Sequence, residues 1–115
     1  MADPEADDLK RRHLPRMLEE LDGLRAASDT TSQDRKPVEL DQSSVGRLSR
    51  MDAIQQQAMA AAQETRRHGR IRALEAAIRR LEEGEFGWCE DCGEFIGERR
   101  LDLDPTLVRC RDCAG

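Results

Sequence analysis

The sequence predicts a mainly α protein: an antiparallel coiled-coil helical hairpin followed by a small module organised by four cysteines. Three observations carry this expectation. Apolar residues recur at spacings of three and four in two long stretches, the periodicity of one buried helical face. Charged residues make up 37% of the chain, against two Phe, one Trp and no Tyr, which leaves little bulk for a sandwich or barrel core and suits a helical protein with much surface. All four cysteines follow Trp88, in two Cys-x2-Cys pairs.

A chain of 115 residues is the size of one folding unit. Met1 to Asp8 is acidic, holds Pro4, and reads as a disordered N-terminus. Leu14, Met17, Leu18, Leu21 and Leu24 then form one stripe, predicting a helix from Leu9 to Ala27 with Asp7 or Asp8 as N-cap. Pro15 suits a first turn but not a helix interior, so regular helix is expected only from near His13. Residues 28–44 are polar, contain Pro37, and read as a linker. Asp41, Ser43 and Ser44 can each cap the next helix, because their side-chain oxygens accept the unpaired N–H groups of a first turn.

The second helix is predicted from Ser44 to Glu83, about 60 Å long at about 1.5 Å per residue. Val45, Leu48, Met51, Ile54, Ala58, Ala61 and Thr65 step by three and four, and the pattern resumes at Ile71, Leu74, Ile78 and Leu81. The spacing slips around His68 and Gly69, where a bend or change of winding is expected. Gly84 is the expected stop. The first helix, folding back antiparallel, can cover only part of this stripe, leaving Val45 to Thr65 for the linker or for another protein. The hairpin thus occupies residues 9–83 and the cysteine module residues 84–115.

Net charge is −5, which argues against tight binding to duplex DNA, where basic residues supply most of the affinity. Only the segment Arg47 to Glu83 is net basic, with eight basic and five acidic residues, so an anionic ligand should meet it there. No apolar run approaches the roughly 18 residues of a membrane span, and the acidic start does not have the layout of a signal peptide. A cytoplasmic protein is expected.

In a reducing cytosol such cysteines are more often metal ligands than disulfides. Cys89 and Cys92, then Cys110 and Cys113, are separated by seventeen residues, within the range of a zinc site. Zn²⁺ takes four ligands tetrahedrally, and each knuckle can turn two thiolates onto one ion. Four thiolates leave no open position for water, so one structural rather than catalytic zinc is expected. Phe86, Trp88, Phe95, Ile96, Leu101, Leu103, Leu107 and Val108 are the apolar stock for a local core around it. His13 and His68 lie far apart on helices and read as surface or seam residues rather than ligands. No glycine-rich phosphate loop or nucleophile motif occurs, so no enzyme is predicted.

This segment resembles the zinc finger of the DksA/TraR family, whose pattern runs C-x2-C-G, an isoleucine, R-L-x3-P, then C-x2-C. Cys89, Cys92, Gly93, Ile96, Arg100, Leu101, Pro105, Cys110 and Cys113 stand in those positions, and the lead-in EGEFGWC is similar to the family's helix exit. The resemblance implies a bacterial regulator that binds RNA polymerase rather than DNA, inserts its hairpin into the secondary channel and modulates initiation, in some members with guanosine tetraphosphate. It implies alarmone contacts in the region of Arg66, Arg70 and Arg72. The family's tip signature, Asp-x-x-Asp-x-Ala, does not occur; Asp41, Asp52 and Ala53 lie nearest to its place. Their other readings are a helix cap for Asp41 and a first-turn carboxylate for Asp52. A monomer is expected. The alternative from a different class is a zinc-stabilised coiled-coil adaptor that uses the uncovered stripe to pair with itself or another protein.

Overall fold

The computed structural model describes residues 5–31 and 47–114. Helix α1 spans Ala6–Thr31 and helix α2 Arg47–Glu83; two short helices, α3 (Glu98–Leu103) and α4 (Arg111–Ala114), belong to the cysteine module. Among the described residues the only β pairing is an isolated antiparallel bridge between Trp88 and Phe95. The mainly helical fold is as expected.

Helix α1 is longer than the periodicity predicts. Asp7 and Asp8 form its first turn, where carboxylates complement the helix dipole, so residues 6–8 are helical rather than disordered. Pro15 lies inside the helix, correcting the expectation of a start near His13. A proline removes one backbone hydrogen bond and crowds the preceding turn, at a cost of about 3 kcal/mol. Pro15 is exposed, while Leu9, His13 and Met17 on the other side are at most 3% exposed. Burial of that face offsets the defect. At its other end the helix runs through Ser28 to Thr31, residues the composition assigned to the linker.

Helices α1 and α2 pack antiparallel, as the cross-pairs show: Glu20 meets Arg70, while Ser28, further along α1, meets Glu64, further back on α2. The α1 side is a heptad of Leu14, Met17, Leu21, Leu24 and Ser28, all buried or half-buried. Leu18 falls one position off this seam and is 43% exposed, because a two-helix interface is too narrow to cover a third row.

The α2 side corrects the stripe. Arg50, Ala53, Gln57, Ala60, Glu64, Arg67, Ile71, Leu74, Ile78 and Leu81 are all buried or half-buried, stepping three and four in an unbroken heptad through His68 and Gly69. The slip in the apolar pattern arises because the seam turns polar in its first half. Met51 and Ile54 form a separate row and are 53% and 55% exposed, with Met59 at 63%. Val45 and Leu48 cannot be placed in either row, since Val45 lies outside the described residues and the Leu48 side chain outside those whose burial is described. Buried Glu64 accepts a hydrogen bond from Ser28 Oγ at 2.8 Å, pairs with Arg67, and lies 2.6 Å from His68 Nε2. A buried carboxylate is tolerable only when paired in this way.

The apolar core sits at the other end, where both helices meet the cysteine module. Leu9, Met17, Leu21, Leu74, Ala77, Leu81, Phe86, Ile96 and Leu101 are buried together. His13 is also fully buried, with its ring 5.3 Å from that of Phe86 and neither ring nitrogen hydrogen-bonded.

Two measurements follow. Leu74→Ala should cost about 2–5 kcal/mol in urea unfolding through the cavity it leaves, whereas Ile54→Ala should stay within about 0.5 kcal/mol. Burial, and next Arg16, hold the His13 pKa below its ordinary 6.5, with Arg12 acting alike and Asp102 and Glu98 opposing. The unfolded chain therefore binds this proton first, so the stability contributed by neutral His13 is complete above about pH 6.5 and lost as pH falls below it. Thermal melts between pH 7.5 and 5.5 should show a shallower decline for His13→Leu than for wild type; equal slopes would clear His13 of the effect.

Candidate metal centre

Helix α2 ends in a Schellman motif that launches the cysteine module. Gly84 takes φ 77°, the Glu85 N–H reaches back to the Arg80 carbonyl at 2.9 Å, and the Gly84 N–H to the Leu81 carbonyl at 3.4 Å. The chain then turns sharply inward, burying Phe86 at 2% exposure. At Gly87, φ is 91° and a Cβ would stand 3.2 Å from the Phe95 ring and 3.5 Å from both Leu101 and Leu9. Only glycine fits that approach without strain.

The first knuckle is closed by backbone hydrogen bonds. The Gly93 N–H donates to the Cys89 carbonyl at 2.9 Å and the Cys89 N–H to the Glu94 carbonyl at 2.8 Å, with Gly93 at φ 76°. The connecting loop, which includes α3, returns the second knuckle to the first, where the Glu90 N–H donates to the Val108 carbonyl at 2.8 Å. Arg109 then bridges Glu90 and Asp91 at 3.3 and 3.1 Å. Cys110 immediately precedes α4 and Cys113 lies within it, where the Ala114 N–H bonds the Cys110 carbonyl.

The ligand atoms of Cys89, Cys92, Cys110 and Cys113 lie within 4.8 Å of one another, and Cys92 Sγ is 3.6 Å from Cys110 Sγ. None of the four is in a disulfide. Four sulfurs at about 2.3 Å from one tetrahedral zinc would stand about 3.8 Å apart, so the cluster has the right dimensions for one ion. Its protonation chemistry agrees. The Cys110 backbone, then those of Cys92 and Asp91, hold Cys89 down to about 6, while the thiols of Cys110, Cys89 and Cys92 push Cys113 up. Four thiolates at this range need a cation, and the residues fit a single zinc that crosslinks the two knuckles.

The apolar stock divides. Phe86, Ile96 and Leu101 are buried, and Trp88, Phe95, Leu107 and Val108 half-buried, with the Trp88 and Phe95 rings edge to face at 5.5 Å. Leu103 is 86% exposed, contrary to its expected place in the core. It ends a helix of six residues whose inner face is taken by Leu101.

The other expected site residues do not assemble. Asp41 lies outside the described residues. Asp52 is exposed on α2 beyond its first turn, which holds no acid, and Ala53 is half-buried on the seam. At about 100° per residue, Arg66 and Arg70 lie about 40° apart around α2, but Arg72 is turned about 160° from Arg70. Arg66 and Arg72 are exposed, whereas Arg70 is engaged with Glu20, Asp104 and Thr106. Of the two readings of His13, surface or seam, the structure gives the enclosed one, signalled by its place four residues from both Leu9 and Met17; the Arg70 ion pairs were missed, since no local pattern announces them.

Zinc analysis of the purified chain should return one ion per molecule. Chelation or Cys110→Ser should release the fold of residues 84–114 while most of the far-ultraviolet helix signal of α1 and α2 persists; an unchanged melting profile without metal would refute a structural zinc.

Comparison with known proteins agrees with this geometry. Residues 84–115 match the family model of the prokaryotic dksA/traR C4-type zinc finger. Over 43 residues, 37% of this chain, the sequence is 44% identical to the RNA polymerase-binding transcription factor DksA of Escherichia coli K12 and to that of Haemophilus influenzae, covering 28% and 30% of those proteins. The match thus spans less than a third of the length of these relatives. A solved structure of transcription factor DksA2 from Pseudomonas aeruginosa matches 95% of this chain and 77% of its own, with a TM-score of 0.64 at 23% identity, a likeness of fold. The chain therefore carries, on a helical hairpin, a C4 zinc finger that belongs to the prokaryotic DksA/TraR family.

Proposed function

We propose that this protein is a DksA-like regulator that binds RNA polymerase in its secondary channel and modulates initiation in the cytoplasm, without reading DNA sequence. The observation that supports this most is the combination of the family zinc finger with a hairpin whose fold is like that of DksA2 over nearly the whole chain. The closed four-cysteine cluster acts as scaffold, so function falls to the hairpin. Toward its far end, residues 51–63 carry one charge, Asp52, in a chain of high charge density, and expose Met51, Ile54 and Met59. A weakly charged, apolar row at the end of a long arm suits contact with a protein surface. No helix among the described residues is long and apolar enough to cross a membrane.

The same row supports a second reading, a zinc-stabilised adaptor that pairs through it. Core polymerase should retain the chain in a pull-down, with retention reduced at least several-fold in Asp52→Asn or Met51→Glu/Ile54→Glu. No retention at micromolar concentration would reject the polymerase reading, and a concentration-dependent dimer lost in Met51→Glu/Ile54→Glu would favour the adaptor. Run with guanosine tetraphosphate and an Arg66→Ala variant, the assay also tests the alarmone, since Arg70 is already held by carboxylates.

A further inference from the structure

We propose that Arg70 is a positioning residue that sets the angle between the helical hairpin and the zinc finger, and so the direction in which the hairpin points. Its guanidinium joins three groups from two other parts of the molecule. Nε and Nη2 donate to the two carboxylate oxygens of Glu20 on α1, at 2.5 and 3.1 Å. Nη1 donates to Asp104 Oδ1 at 2.9 Å and to Thr106 Oγ1 at 3.1 Å, just beyond α3. Asp104 is itself fixed, because its Oδ1 also accepts from the Thr106 N–H at 3.0 Å and the Thr106 hydroxyl at 2.7 Å, around a fully buried Pro105.

Other contacts across this junction restrain its angle less. Burial of Phe86, Leu101 and Leu9 holds the finger on, but the hydrophobic effect is non-directional. Arg12 also forks onto Asp102, at 3.0 and 2.5 Å, and Arg16 donates to the Asp102 carbonyl at 2.7 Å, but these contacts join α1 to α3 alone and leave α2 out. Arg70 stands on α2 and bonds α1 and the finger at once, so its fork fixes three parts of the molecule in one geometry, which a lysine cannot reproduce. The two carboxylates raise the Arg70 pKa, the Glu20 hydrogen bond most, so the group stays charged wherever the fold exists.

The lever is long. From Arg70 to the start of α2 at Arg47 is about 35 Å of helix at about 1.5 Å per residue. A rotation of about 10° at the junction would therefore displace the far end by about 6 Å, more than a docked protein interface tolerates. The functional consequence rests on the polymerase reading, but the angle itself can be measured without it.

Residual dipolar couplings of the zinc-loaded full chain give separate alignments for hairpin and finger. Wild type and Arg79→Met, an exposed arginine elsewhere on α2, should share one alignment frame. Arg70→Met, Arg70→Lys and Asp104→Asn should lose it, the finger showing weaker alignment than the hairpin with zinc content and helix signal unchanged. Thr106→Val, which leaves every charge in place, should give a smaller loss. Retention of one shared frame in Arg70→Met and Arg70→Lys would overturn the proposal, as would rescue by lysine. Core-polymerase binding by wild type is read separately: its absence rejects the proposed function and leaves the alignment result to decide the role of Arg70.

Discussion

Four sulfur atoms within 4.8 Å of one another are the constraint on which the rest of this structure depends. The segment they close has two short helices, a single bridge at its edge and two glycines at positive φ, Gly93 and Gly97, too little regular structure to hold a loop of seventeen residues by backbone pairing. A metal crosslink replaces what a larger core would supply. Once the knuckles are joined, Phe86, Ile96 and Leu101 are brought together, and these complete the core that the two helices share with the finger. Loss of the ion would remove one wall of that core rather than a peripheral appendage.

The two ends of the hairpin are built on different physics. At the finger end, burial of Leu74, Leu81, Met17 and Leu9 dominates, and even a histidine is enclosed there without a partner for either ring nitrogen. Farther out the seam turns polar: Glu64 of α2 accepts a hydrogen bond from Ser28 of α1 and pairs with Arg67 on its own helix, while apolar Met51 and Ile54 face outward. Such a division gives a firmly seated base and a shaft whose apolar surface is available for contact. Between them Arg70 ties both helices to the finger, at the place where a small angular change is amplified most along the shaft.

Much of this was legible in the residue order because the relevant signals are local. The spacing of the cysteines, the glycine at the end of α2 and the period of Leu14, Met17, Leu21 and Leu24 each report a constraint that a few neighbouring residues satisfy among themselves. The misread features are those in which distant parts of the chain decide. Pro15 marks a helix start by its own chemistry, yet stays inside the helix because the opposite face is buried by Phe86 and its neighbours. Leu103 looks like core and is exposed because Leu101 already occupies the inner face of a short helix. The slip at His68 vanishes once the seam is traced through Glu64 and Arg67, whose polarity hid it from an apolar count.

Periodicity and short-range spacing were enough for the fold class and the four cysteines of the metal centre, and the residues around those cysteines for the likeness of the finger to its family. Contacts between distant segments were needed to show which face of α2 meets α1, that His13 is core, and that Arg70 serves Glu20 and Asp104 rather than standing free as an anion-binding candidate. The reason is physical. A zinc knuckle encloses its chemistry within four residues, whereas the partner of a side chain on a long helix is set by packing between segments far apart in the chain.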